Sequence, residues 1–358
     1  MGKLVQNRKK EIAKDRFRFF YQEIVWGFII VFVLLLIPTF LIPLIIDTGS
    51  PLYGLIFYLL RAIFVFVAIP LIFPLSNLIF ESQKRKVIIE EDVSPSRGHL
   101  RLYKMTKKNY KYQILYGVLI FFLVFLPIDF FTYLLIPGML EYQSVSLVFN
   151  ATNVYLLSEN YFMFLFFAVI IQISVAIFEE TIYRGLLVKR GSEHFFRMSA
   201  VMISALYFGL GHFAYFLDPI SRAYPIWYPF IWFLEAFIII GIVLALLVLR
   251  RKWLFPVIFA HALNNIVSAH AVWSFLQGNN FMIVGLYLYY PLLIVGCILF
   301  VWYFSQIKEG FSIGFNMLKD YFKRDKTIEK TKGDTIFRTF FDILMALMIF
   351  IMGFVITI

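Results

Sequence analysis

The chain has 358 residues, of which 61% are hydrophobic and 15% are charged. Soluble domains are about half apolar and about a quarter charged, so this composition excludes an ordinary soluble globular protein. The formal charge of +11 does not indicate a nucleic-acid-binding protein, because the basic residues lie almost entirely between apolar runs, as in membrane proteins.

Apolar runs of about 20 residues or more recur along the chain, and each is long enough to form one membrane-spanning helix. The runs are approximately 24–46, 52–80, 113–137, 161–188, 198–217, 227–249, 253–275, 281–304 and 336–358. We therefore predict an all-α, polytopic transmembrane bundle of about nine helices. The first run is too long for a signal-peptide core and lacks a small-residue cleavage site, so we predict an uncleaved anchor.

The basic residues predict how the chain is oriented. Lys and Arg concentrate in the first 18 residues and in the connectors after the second, fourth, sixth and eighth runs, whereas the other connectors contain only Arg222. The positive-inside rule then predicts a cytoplasmic N-terminus and an outer C-terminus.

In an eight-helix alternative, the segment 253–275 would be re-entrant. The basic connector from Lys308 would then lie outside, and its positive charge disfavours that position. We expect a multi-pass protein of the plasma membrane if the host is bacterial, with the lipid bilayer as partner.

The two long basic connectors are candidate domain boundaries. Residues 1–112 would form a basic segment, two helices and a basic loop. Residues 113–280 would form a helical core of catalytic type. Residues 281–358 would add the last two helices and their basic loop.

Three runs of this predicted core carry polar side chains that are costly inside a bilayer and therefore indicate a functional site. They are Glu179, Glu180 and Arg184 in the fourth run, Phe208 and His212 in the fifth, and His261, Asn264 and Asn265 in the seventh.

Helical spacing suggests how these groups pair. Residues four apart share a helix face, so we predict that Glu180 pairs with Arg184 and that Asn265, more than Asn264, acts beside His261. Glu179 is rotated by about 100° from Glu180, so it can face a cavity while its neighbour is salt-bridged.

These residue types suit the hydrolysis of an acyl bond. A desolvated carboxylate can take a proton from water, and a neighbouring histidine can orient that water. Asn and His side chains can donate hydrogen bonds to the oxyanion that forms. The set needs no serine, cysteine or aspartate nucleophile.

The order EExxxR, FxxxH and HxxxN, over roughly 166–268, resembles the CPBP intramembrane protease family, also described by its Abi domain. This family includes the type II CAAX prenyl endopeptidases and proteins linked to bacteriocin processing and self-immunity. The resemblance implies an intramembrane endopeptidase acting on a membrane-associated peptide or protein, prenylated or not. It also implies residue roles: Glu179 as general base, His212 as a group holding the water, His261 and Asn265 as the oxyanion hole, Glu180 and Arg184 as a structural pair, and Phe208 as a supporting residue.

Three alternatives stay open. Glu179, His212 and His261 have suitable chemistry for zinc, as in a metalloprotease, but none of the motifs is HExxH, so we favour a site without metal or other cofactor. The chain could instead be a non-catalytic immunity or scaffold protein. It could also be a proton-coupled transporter whose carboxylates carry protons.

A few other polar residues have more ordinary interpretations. We expect Arg61 to snorkel, to pair with Asp129 or to contact substrate, with the first two favoured. His99 and His194 lie in basic connectors, where we expect them to be solvated. We expect Cys297, within an apolar run, to be a small packed core residue.

Overall fold

The structure is a computed structural model that describes residues 2–80, 94–136, 138–323, 329 and 331–357. All regular secondary structure in these residues is helical. The fold class is therefore all-α, as predicted. The orientation of the N-terminus and the proposed domain boundaries stay predictions.

Within the described residues, nine helices are long and apolar enough to cross a membrane, and they correspond one for one to the predicted runs. We call them the first to ninth spans. In order they are Ile12–Leu44, Pro51–Leu75, Tyr110–Leu135, Tyr161–His194, Arg197–Leu217, Trp227–Arg251, Phe255–Leu276, Phe281–Trp302 and Lys332–Gly353.

Further helical segments extend or connect the spans. The basic N-terminal segment is helical from Gly2 and leads directly into the first span. Among the described residues, three further α-helices lie between spans, at Pro95–Arg101, Gly138–Val148 and Phe304–Phe322. We refer to Pro95–Arg101 as the Pro95 helix.

The fourth span packs against the second, fifth, sixth and seventh spans. The seventh span has the lowest mean hydropathy of the nine, 1.2, and the largest buried share, 56%. Because protein rather than lipid surrounds much of this helix, it can carry polar side chains at a smaller desolvation cost.

The fifth and sixth spans approach closely at Gly209. A Cβ atom at this position would lie 2.7 Å from the Cβ atom of Phe237. Small residues allow such contact between membrane helices. The contact holds the end of the fifth span, which carries His212, against the sixth span.

The fourth span ends at His194 rather than near Val188, where the hydropathy pattern places its end, and Thr181–Arg190 is π-helical. Glu179 lies fifteen residues before this end, and His212 lies fifteen residues after the start of the fifth span at Arg197. The hairpin of the two helices therefore brings both residues to similar depth.

The part of the fourth span beyond Val188 is stabilised by an ion-pair network with the first span. The carboxylate of Glu23, fully buried, lies 2.6 Å from Arg190 Nη2 and 2.9 Å from His194 Nε2. The expectation that His194 is solvated is therefore wrong, because a buried carboxylate binds it. The expectation for Cys297 is also wrong, since its side chain is exposed on the surface of the eighth span.

Candidate active site

The core of the site is the buried ion pair of Glu180 and Arg184. Both side chains are fully buried, and Arg184 Nη1 donates to Glu180 Oε1 at 2.9 Å. The guanidinium also lies 4.4 Å from the ring centroid of Phe208, a cation–π contact. The pair predicted from the i, i+4 spacing is therefore present.

His261 contacts both glutamates. Its Nδ1 lies 2.7 Å from Glu180 Oε1, and its Nε2 lies 3.7 Å from Glu179 Oε2. Because an ionised carboxylate can only accept, Nδ1 carries the proton of that hydrogen bond. The spacing of the seventh run places His261 beside Asn265 but gives no sign of this contact with the fourth span.

Glu179 and Glu180 differ sharply in exposure. The Glu179 side chain is 27% exposed, whereas that of Glu180 is fully buried. The helical rotation between adjacent residues points the two carboxylates in different directions. Glu179 is therefore accessible while Glu180 holds the helices together.

The orientation of His212 is set by its own helix. Its Nδ1 lies 3.0 Å from the carbonyl oxygen of Phe208, which can only accept, so Nδ1 is the protonated nitrogen. In the neutral ring, Nε2 is then left as an acceptor. Glu179, His261 and Arg184 lie close enough to interact electrostatically with this imidazole.

Phe208 packs between the other groups of the site. Its ring is in edge contact with the His212 ring at 4.7 Å and with the His261 ring at 6.0 Å between centroids. It is 2% exposed. Phe208 therefore shields the Arg184 guanidinium and fixes both imidazole rings.

The two asparagines of the seventh span face different surroundings. Asn265, half-buried, makes no hydrogen bond to the described residues, and its amide is therefore available to a ligand. Asn264 is buried and its side chain is turned to Asp129 on the third span.

Residues 161–267, less than a third of the chain, match the family model described as "Type II CAAX prenyl endopeptidase Rce1-like". This segment of the chain is therefore similar to the Rce1-like family, and we refer to it as the Rce1-like domain. This family is a peptidase family. No curated protein and no solved structure matches the chain. Together with the nine apolar helices of the described residues, the match supports an integral, multi-pass membrane protein.

The matched segment of this Rce1-like domain contains the three helices that carry the candidate residues. It begins at the first residue of the fourth span and ends within the seventh, so it includes Glu179, His212, His261 and Asn265. The match establishes the family of this segment, and the roles of these side chains stay predictions.

The described residues of the Rce1-like domain and its surroundings contain no group of three or more His, Cys, Asp or Glu side chains placed to hold a metal ion. Glu179, His212 and His261 do not meet that condition, although each is chemically suited to zinc. The metalloprotease interpretation therefore has no support in their geometry.

A loop outside the Rce1-like segment reaches the site. The Tyr103 hydroxyl lies 2.6 Å from Thr181 Oγ1, which donates to the Ile177 carbonyl oxygen at 2.5 Å. Tyr103 is therefore the donor to Thr181. Burial raises the pKa of Tyr103, and the nearby Glu180 carboxylate raises it further, so the phenol stays protonated. A tyrosine within a basic connector gives no sequence signal of this role.

The Pro95 helix packs against the Rce1-like domain through His99. This side chain is 4% exposed, and its Cε1 atom lies 2.7 Å from where a Cβ of Gly185 would be. The expectation that His99 is solvated is therefore wrong. Burial lowers its pKa to about 4, so the ring is neutral at pH 7.

Arg61 forms no ion pair with Asp129 among the described residues, so the expected pairing of these two residues is wrong. Its guanidinium lies 4.2 Å from the ring centroid of Phe178, the residue before Glu179. Asp129 instead has the carboxylate of Glu235 and the side chain of Asn264 as neighbours. The Phe178 ring satisfies the Arg61 charge by a cation–π contact, which sequence spacing does not predict.

Asp129 and Glu235 form a second group of acids, both half-buried, beside the Rce1-like site. Thr132 on the third span donates to Glu235 Oε1 on the sixth. Neither carboxylate has an ion pair with a Lys or Arg among the described residues. The sequence analysis did not single out Glu235. An acidic residue inside an apolar run is a sign of a functional position, and this sign could have identified it.

Proposed function

We propose that the chain is an intramembrane glutamate-type endopeptidase that hydrolyses a peptide bond in a membrane-associated peptide or protein. The proposal rests on the different environments of the two glutamates. Glu179 is accessible beside His261 and His212, whereas Glu180 is buried in an ion pair. The Rce1-like match supports the reaction class.

The hydrogen bonds at His212 suggest how water is activated. With Nδ1 bonded to the Phe208 carbonyl, Nε2 of the neutral ring accepts a hydrogen bond from water. A water donating one hydrogen to Nε2 and the other to the Glu179 carboxylate directs an oxygen lone pair toward a substrate carbonyl. Glu179 then takes the proton as the new carbon–oxygen bond forms.

His261 and Asn265 are suited to stabilise the oxyanion. The carboxylates of Glu179 and Glu180 and the Arg184 cation together carry a net charge of −1. A doubly protonated His261 therefore makes this group of four side chains neutral. In that form Nδ1 donates to Glu180 and Nε2–H is a donor. The Asn265 amide supplies a second donor from the same helix face.

The remaining step breaks the carbon–nitrogen bond. Glu179, protonated in the first step, donates its proton to the leaving amine nitrogen. The tetrahedral intermediate collapses to a carboxylic acid and a free amine, and the site returns to its starting protonation state. One water is consumed and no covalent enzyme intermediate forms.

The test is Glu179→Gln, which keeps the size of the side chain and removes its basicity. We expect cleavage of a membrane-associated peptide, detected by mass spectrometry with purified protein, to fall by roughly 10²- to 10⁴-fold. Glu159→Gln, in an exposed connector, is the matched control and should retain full activity. Comparing prenylated and unprenylated peptides in the same assay defines the substrate class.

Cleavage by Glu179→Gln at the wild-type rate would contradict this mechanism. Wild-type protein that cleaves no membrane peptide, although folded, would favour the immunity or scaffold alternative.

The zinc alternative is tested by measuring the metal content of the purified protein and its activity after treatment with a chelator. The metal-free reaction predicts less than one bound zinc per ten chains and full activity in chelator.

A further inference from the structure

A cavity of about 330 Å³ opens among the basic connectors, and none of the candidate catalytic residues lines it. Among the described residues, its lining contains five basic side chains and no acidic one. We call it the cationic cleft, and its basic residues are Arg101, Lys104, Lys189, Arg251 and Lys252.

Backbone contacts give the cleft a defined shape. The amide of Leu254 donates to the Leu102 carbonyl at 2.8 Å, which joins the connector after the Pro95 helix to the start of the seventh span. Lys252 adopts a left-handed backbone conformation, φ 56°, which turns the chain sharply between the sixth and seventh spans. The cleft is therefore formed by three segments held together.

Side-chain contacts fix part of the charged lining. Arg251 donates to the Tyr116 hydroxyl, and its guanidinium lies 5.0 Å from the centroid of that ring. A phenol leaves the positive charge of Arg251 uncompensated. The arginine is thus held in place with its charge available to a ligand.

Among the described residues, one acidic side chain, Glu193, forms an ion pair with a basic residue of the lining. Lys189 lies 2.9 Å from Glu193, but the same carboxylate lies 2.6 Å from Arg190. Within the described part of the chain, Arg101 and Lys104 have no ion pair with an acidic side chain. A concave surface with this excess of positive charge attracts an anion.

The position of the cleft indicates where the anion comes from. Arg251 ends the sixth span, Trp253 lies just before the seventh, and Lys189 lies near the end of the fourth. Trp253 and Tyr116 pack edge to face, and such aromatic residues are typical of the membrane interface. The cleft therefore lies at the level of lipid headgroups.

We propose that the cationic cleft binds the phosphate group of an anionic phospholipid. Arg101, Lys104 and Arg251 would contact the phosphate oxygens, with Thr106 and Asn109 in the same lining. The basic connectors are those predicted to be cytoplasmic, where anionic lipids are enriched. Bound lipid would hold the Pro95 helix against the fourth span.

The test uses two variants with equal loss of charge. Arg101→Gln/Lys104→Gln changes the cleft, whereas Lys107→Gln/Lys108→Gln changes two exposed lysines of the same connector that do not line it. Both are purified in nanodiscs of phosphatidylcholine with or without phosphatidylglycerol. Bound lipid is counted by native mass spectrometry, and thermal midpoints are measured in parallel.

We expect phosphatidylglycerol to bind wild type and the control and to raise their thermal midpoints. The affinity of Arg101→Gln/Lys104→Gln for phosphatidylglycerol should fall roughly tenfold further than that of the control variant. The reason is that direct contacts to phosphate are lost in addition to surface charge. Equal losses in the two variants would overturn the proposal, since they would reflect surface potential alone. Equal stabilisation by inorganic phosphate in phosphatidylcholine nanodiscs would also overturn it, because the occupant would be free phosphate.

Discussion

Glu179 and Glu180 are adjacent, but they occupy different environments. Glu180 accepts from Arg184 and from His261, two groups on different helices, and has no contact with solvent. Glu179 is accessible and has no ion pair with Arg or Lys among the described residues. The two carboxylates should therefore respond differently to the same substitution.

We predict that Glu180→Gln destabilises the protein by about 3 kcal/mol, because it leaves the buried Arg184 cation without a counter-charge. Glu179→Gln should change the thermal midpoint little. Thermal unfolding of both variants, in one detergent and at one pH, measures the difference. A Glu180→Gln midpoint equal to that of wild type would show that the ion pair is not structural.

At the scale of elements, the contact between the Pro95 helix and the fourth span links a basic connector to the helix of the site. The contact depends on Gly185, since the His99 ring occupies the space that a side chain would need. The ring also packs in edge contacts against Phe73 and Tyr103. It therefore joins the second span, the connector and the fourth span.

We predict that Gly185→Ala destabilises this packing by about 1–3 kcal/mol, because the new Cβ would lie 2.7 Å from His99 Cε1. Gly310→Ala is the matched control, since a Cβ there meets nothing within 4 Å in the helix Phe304–Phe322. The control should be neutral or stabilise by up to about 1 kcal/mol, because alanine favours helix. Thermal midpoints of the two variants in the opposite order would refute the prediction.

The same contact predicts a pH dependence. The pKa of His99 in the folded protein, about 4, lies below its ordinary value of 6.5. Protonation therefore favours the unfolded state, and the stabilisation is present above pH 6.5 and lost as the pH falls toward 4. The loss is on the order of 3 kcal/mol.

Thermal midpoints measured between pH 7 and pH 4 test this prediction. Wild type should lose stability more steeply than His99→Gln, which does not titrate. Parallel curves for the two proteins would show that another group is responsible.

At the scale of the whole molecule, the two ends of the chain are joined beside the fifth span. Arg16 Nε lies 2.8 Å from Asp342 Oδ1, with both side chains buried, and Arg16 Nη2 donates to Ser199 Oγ at 3.0 Å. The Tyr321 hydroxyl donates to the other Asp342 oxygen at 3.2 Å. These contacts bring the first and ninth spans, which lie outside the Rce1-like segment, against the helix that carries His212.

We predict that Asp342→Asn lowers the stability of the whole bundle by about 3–5 kcal/mol, because it leaves Arg16 buried without a counter-charge. Asp320→Asn is the control, since the ion pair of Asp320 with Lys323 is solvent-exposed and such pairs contribute at most about 1 kcal/mol. Thermal unfolding of both variants checks the prediction. Similar midpoints would indicate that the terminal spans are held by apolar packing alone.

The sequence by itself determined the features that depend on local patterns. Hydropathy gave nine spans, because each is a continuous apolar run whose length matches the bilayer. The i, i+4 spacing predicted the pair of Glu180 and Arg184, and three motifs in order indicated the peptidase family.

Tertiary structure decided which groups meet across helices. His261 lies 81 residues from Glu180 in the chain, and Glu23 lies 167 residues from Arg190. No periodicity within one helix encodes such contacts, because they depend on how the helices rotate and cross. For the same reason, the burial of His99 and the cation–π contact of Arg61 with Phe178 followed from packing. Neither the basic connector around His99 nor the apolar run around Arg61 indicated these contacts.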